Sequence, residues 1–129
     1  MRKTPTGCSA QDNEEEYKPR KQDGTRSKAK FKSHNMRNNW GEPAATVMQH
    51  NDNPGGHKTI HPGRPLFDGC WTDPRPFSIL ELLLITGLDE NYFIPDWASE
   101  ELIRNVLGDC LLPNVNLALC SMIPGRKEI

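Results

Sequence analysis

Apolar side chains are almost confined to the second half of the chain, where they recur with helical spacing. Ser78-Ile79-Leu80-Glu81 has the form of a capping box, in which Ser78 accepts from the Glu81 amide and Glu81 reaches back. Ile79, Leu80, Leu82, Leu83, Leu84 and Ile85 follow, which predicts a helix over 79–86, apolar nearly all round and buried on most sides. Gly87 stands where a left-handed C-terminal cap is wanted. Ser99 with Glu100 and Glu101 starts a second helix through Leu102, Ile103, Val106 and Leu107, stopping at Gly108. Pro113 suits the first turn of a third helix. Its Val115, Leu119, Met122 and Ile123 form an amphipathic stripe, and Pro124 closes it. Between the first two helices, residues 91–97 hold Tyr92, Phe93 and Trp97 in a loop whose aromatics should pack. Upstream, Ala45-Thr46-Val47-Met48 reads as a short strand between polar stretches.

Composition sharpens the division. Leu, Ile, Val and Phe make up 26 of 129 residues, and only Phe31 and Val47 precede residue 60. That is the border below which a chain buries too little apolar surface to offset its conformational entropy. The formal net charge is −1, but residues up to Arg37 carry ten Lys/Arg against five Asp/Glu, and the remainder carries six against twelve. Residues 1–30 therefore read as a solvated, flexible basic arm, and residues 31–129 as the part that must build the fold. No apolar run approaches the ~20 residues of a membrane span, and Met1-Arg2-Lys3 does not open a signal peptide. The expected location is cytoplasmic, without membrane contact. The four cysteines, Cys8, Cys70, Cys110 and Cys120, lack zinc-site spacing. His57 and His61 are four apart, but Gly55, Gly56, Pro62 and Gly63 make that stretch a loop, so no metal site is expected.

Four stretches then fall in a telling order: Trp40-Gly41-Glu42-Pro43-Ala44-Ala45-Thr46-Val47, Thr59-Ile60-His61-Pro62, Arg75-Pro76-Phe77-Ser78 with Glu81 and Gly87-Leu88, and Leu107-Gly108-Asp109-Cys110-Leu111-Leu112-Pro113. Together they resemble the C-terminal third of DNA cytosine-5 methyltransferases, over roughly residues 31–124. Arg37 and Trp40 match the spacing of an Arg-x-x-Trp element in that family's target-recognition region. The resemblance implies an α/β fold: the C-terminal portion of a methyltransferase-like fold dependent on S-adenosylmethionine, here mostly short helices with a short β segment and a disordered basic N-terminal arm. Residues 31–75 would end the target-recognition region, and 76–124 would be the helical closing motifs.

The departures are equally informative. Asp89 replaces the family's turn proline, and Asp109-Cys110-Leu111 stands for Asn-(Ala/Ser)-Val. The family's nucleophile is a cysteine following proline, whereas the four here follow Gly7, Gly69, Asp109 and Leu119. A Gly-rich cofactor loop, a Glu-Asn pair and a Gln-x-Arg-x-Arg segment are also missing. In the family a thiolate adds to C6 of a flipped cytosine and activates C5 toward the methyl donor. This chain holds no such group, so no catalytic residue is assigned. Methyl transfer would require a second polypeptide or the missing catalytic part.

By resemblance, Gly108, Asp109 and Cys110 line the S-adenosylmethionine pocket, and Thr46 contacts a phosphate near the flipped nucleotide. The plainer readings are a glycine ending a helix and a strand threonine without a ligand. Asp109 in place of Asn loses a donor. Arg37, Lys28, Lys30 and Lys32 are the further candidates for contact with double-stranded DNA, by sequence-independent phosphate neutralisation. Glu81 reads as a capping residue, and Arg75 as a partner for an acidic helix, a phosphate or Trp71. Two function classes follow. One is a fragment or subunit of a DNA cytosine-5 methyltransferase of a restriction-modification system. The other is a small non-enzymatic nucleic-acid-binding module.

Overall fold

The computed structural model describes residues 1–27, 34–52 and 60–123. Among the described residues of the second half lie three α-helices, α1 (Ile79–Ile85), α2 (Glu100–Asp109) and α3 (Pro113–Ser121). The capping box predicted for α1 is present. Glu81 N donates to Ser78 Oγ at 3.3 Å, and Ser78 N donates to Glu81 Oε2 at 2.7 Å. The helix ends in a Schellman motif, with Gly87 at φ +76° and Leu88 N donating to Leu83 O at 2.9 Å. Ser99 caps α2 by accepting from Leu102 N, and α1 packs on α2.

The helical core is Leu82, Leu83 and Leu107, edged by Val47, Phe77, Ile79, Leu88, Ile94 and Ile103. The burial on most sides expected of α1 is not found: Leu82 and Leu83 are buried, but Leu80 and Leu84 are exposed. α3 begins at Pro113 as expected, but none of its residues is buried. Its stripe of Val115, Leu119, Met122 and Ile123 faces solvent, and Tyr92, Phe93 and Trp97 are exposed rather than packed. The periodicity marks helices correctly but does not supply a partner for every apolar face. Pro124 lies outside the described residues.

The short strand expected at Ala45–Met48 is not formed, so the α/β expectation finds no continuous strand among the described residues. A strand needs a neighbour to accept its ladder hydrogen bonds, and this segment runs instead along α2. Among the described residues β structure is limited to isolated bridges; Ile60 pairs with both Arg37 and Pro76, and Ser9 pairs with Met36.

The first 27 residues correct the expectation of a disordered arm. Thr4, Ser9 and Ala10 are buried, and 3-10 turns form at Ala10–Asp12 and Glu15–Tyr17. Composition missed this because polar contacts, not apolar ones, hold the segment. Arg37 N donates to Cys8 O, Ala10 N to Asn35 O, and Trp71 N to Arg2 O. No helix among the described residues is long and apolar enough to cross a membrane.

Candidate nucleic-acid and cofactor site

The segment 43–51 lies against the C-terminal half of α2, and the contact depends on a missing side chain. A Cβ built on Gly108 would stand 2.5 Å from Gln49 N and from the Met48 carbonyl carbon. Gly108 does not end α2, as the sequence suggested: it sits inside the helix, which continues one residue past it to Asp109. Gln49 Nε2 donates to both carboxylate oxygens of Asp109 at 2.7 Å, and His50 N donates to Asn105 Oδ1 at 3.3 Å. Arg104, 6% exposed, completes the clamp. Its guanidinium donates to Glu100 Oε1, Asn51 Oδ1 and Phe77 O, while Asn51 Nδ2 donates to Arg104 O. Gln49, Asn51 and Arg104 were not singled out from the sequence. The Glu100–Arg104 spacing of four residues was the one available signal.

Beside this clamp is a cavity of about 340 Å³ lined by Pro43 to Val47, Ile85, Thr86, Leu107, Cys110 and Leu112. It brings together Thr46 and Cys110, drawn from two of the separate sequence stretches. The Thr86 hydroxyl is already committed to Leu82 O and Leu83 O. The fit to S-adenosylmethionine is incomplete. The α-carbon face of Gly108 is covered by Met48 and Gln49, the Asp109 carboxylate is held by Gln49, and only Cys110 of the three lines the cavity.

Arg37 is not available to a phosphate. It is 0% exposed, and its guanidinium reaches six main-chain carbonyls. Nε donates to Thr4 O, Nη2 to Met1 O, and Nη1 is shared among His61, Pro62, Thr72 and Asp73. Burial lowers its pKa, and the Asp73 charge opposes that shift. The expectation that Arg37 contacts DNA is thereby corrected: its donors tie the N-terminal segment to residues 61–73. Lys28, Lys30 and Lys32 lie outside the described residues, as does His57.

Trp40, His61, Arg75 and Glu81, from three sequence stretches, converge on one network. His61 packs edge-on against Trp40 at 5.6 Å and Phe77 at 5.8 Å between ring centres. Its Nδ1 accepts from Gly63 N at 3.0 Å, and its Nε2 faces Glu81 Oε1 at 3.4 Å. Trp40 Nε1 donates to Gly63 O at 2.7 Å. Arg75 forms a bidentate pair with Glu81 at 2.8 and 3.0 Å. The Arg75 hydrogen bond is the largest cause that lowers the Glu81 pKa to about 2, with the Ser78 amide and hydroxyl adding to it against burial. A carboxylate held this far down is a poor proton donor near neutrality. Glu81 acts as a cap and ion-pair partner, as the sequence implies.

The chain is 45% identical over 113 residues to the Type II methyltransferase M1.HgaI of Avibacterium volantium, a match covering 88% of this chain and 31% of that protein. No family model matches the chain, and no solved structure matches it. The chain thus spans about a third of the length of the curated relative it resembles, and that similarity supports a methyltransferase relationship.

Proposed function

We propose that this chain is a C-terminal fragment or subunit of a DNA cytosine-5 methyltransferase, which binds double-stranded DNA and transfers methyl groups only when completed by the part that carries the nucleophile. The observation that carries this reading is the 45% identity to a Type II methyltransferase across 88% of the chain. The cytosine-5 assignment rests on the ordered motif resemblance and on the spatial convergence of Trp40, His61, Arg75 and Glu81.

In this reading the chain's own residues position rather than react. The Gln49–Asp109 and Arg104–Asn51 contacts fix the segment bearing Thr46 against α2. Thr46 is exposed and offers a hydroxyl to a phosphate. Cys110 forms part of one wall beside it. S-adenosylmethionine, the methyl donor of the completed enzyme, would draw its polar contacts from the completing polypeptide. The same polypeptide would supply the thiolate.

Tritiated methyl transfer to duplex DNA tests the assignment. The chain alone should incorporate nothing, and co-expression with a polypeptide bearing the Pro-Cys and Gly-rich motifs should restore incorporation at cytosine C5. Incorporation by the isolated chain, abolished on replacing one of its four cysteines by serine, would overturn the division of labour. Methylation of adenine by the completed enzyme would overturn the cytosine-5 assignment.

A further inference from the structure

Phe67 is the most exposed large apolar residue among those described, with a relative exposure of 112%. Its backbone is nonetheless held firmly. Leu66 N donates to Cys70 O at 2.8 Å, Gly69 N donates to Leu66 O at 3.1 Å, and Pro65 bridges Trp71. Asp68 Oδ1 accepts from Cys70 N, and Gly69 takes φ +70°, a conformation that suits glycine at the end of such a turn. Phe67 thus occupies the first central position of a turn closed from both sides.

The root of this hairpin is equally fixed. Thr72 N donates to Arg64 O, and Arg64 N donates to Thr72 Oγ1. The Thr72 carbonyl accepts from the buried Arg37 guanidinium. Exposed as it is, Phe67 contributes little to the folded state, while its ordered backbone holds the ring in place for an external contact.

The charge around the hairpin selects the contact. Trp71 N donates to Arg2 O, and Lys3 Nζ donates to Asp68 O at 3.2 Å, so the N-terminal segment runs along the hairpin. Arg2 and Lys3 act on the Asp68 carboxylate at the turn, and Arg64 stands at the hairpin root. That carboxyl is lowered in pKa first by hydrogen bonds from Cys70, and further by the charges of Arg2 and Lys3. A rigid apolar tip flanked by Arg2 and Lys3 fits a polyanion with stacked apolar planes.

We infer that the hairpin 64–72 is a DNA wedge, in which Phe67 inserts against the bases of a duplex while Arg2, Lys3 and Arg64 engage the flanking phosphates. This inference rests on the proposed DNA-binding function and deepens it. It also gives Arg37 an indirect part, as a positioning residue that holds the root of the wedge.

The test uses the full chain and a fluorescein-labelled 20-base-pair duplex of mixed sequence carrying 2-aminopurine, titrated over a salt series. Wild type should bind and raise 2-aminopurine fluorescence by unstacking. Phe67→Ala should weaken binding roughly tenfold and abolish the fluorescence rise, with an unchanged salt slope, because a phenyl group releases no counterions. Phe67→Trp should restore both. Arg64→Gln should instead reduce the salt slope by about 1. Phe67→Ala that binds and unstacks as wild type does would overturn the wedge and leave the DNA reading standing. Wild type that binds no duplex even at low salt would overturn both.

Discussion

Gly108 and Met48 meet backbone to backbone, with the Met48 carbonyl oxygen 2.7 Å from where a Gly108 Cβ would stand. Two effects of Gly108→Ala therefore oppose one another. Alanine inside a helix is favoured over glycine by up to about 1 kcal/mol. Overpacking against backbone, which cannot rotate away, costs about 1–3 kcal/mol. The steric term should win. Urea melts should show Gly108→Ala less stable than wild type, with the Gln49–Asp109 contact broken. A stabilised variant would show that segment 43–51 is not held against α2 in solution.

Arg37 makes a second stability prediction. Leaving buried carbonyls without donors costs about 1–3 kcal/mol for each group that water does not reach, so Arg37→Gln should destabilise by at least about 3 kcal/mol. Arg37→Lys should recover only part of the loss, since an ammonium offers three donors where six carbonyls converge on the guanidinium. Limited proteolysis should then cut the first twelve residues, which the guanidinium anchors through Met1 O and Thr4 O. A stable Arg37→Gln variant with a reduced salt slope for DNA would return Arg37 to the phosphate contact expected from sequence.

The difference between these two readings of Arg37 shows where the sequence is informative. Caps are local, so Ser78, Glu81, Ser99, Gly87 and Pro113 revealed their helices from a few neighbouring residues. Arg37 binds carbonyls as distant along the chain as Asp73, and backbone carbonyls carry no side-chain signature. The same blindness placed residues 1–12 inside an arm expected over 1–30, because their order comes from polar main-chain contacts that composition does not count. The motif residues Trp40, His61, Arg75 and Glu81 were each legible, but their convergence was not. Residues 91–97 failed for another reason: aromatic content announces burial without saying against what.

Acid should weaken the fold through Glu81. Its folded pKa is about 2, below the ordinary value of 4.5. The unfolded state thus takes up protons first as pH falls. The contribution is complete above about pH 5.5 and is lost progressively between pH 4.5 and 2. The side chain is 29% exposed, so solvent screening brings the expected contribution to about 1–2 kcal/mol. Glu81→Gln should remove most of this component of the acid transition, as should Arg75→Gln, when stability is followed by circular dichroism against pH. An acid profile unchanged in both variants would show that the pair is not formed.

The exposed aromatics give the last prediction. Phe93 and Trp97 are 81% and 79% exposed, and with Tyr92, Ile94, Leu102 and Val106 they border an apolar cavity of about 320 Å³ beside α2. Contiguous apolar surface of this kind marks an interaction site or an aggregation hazard. The isolated chain should therefore bind an anilinonaphthalene dye and self-associate with rising concentration. Phe93→Ser with Trp97→Ser should reduce both while changing stability by less than about 0.5 kcal/mol per site, since exposed side chains contribute little to the folded state. Co-expression with the completing methyltransferase part should suppress dye binding in the unmutated chain, and the double variant should weaken that assembly. Monodisperse, dye-free behaviour at high concentration would show that the aromatics are packed in solution, and would remove this face from the candidate interfaces.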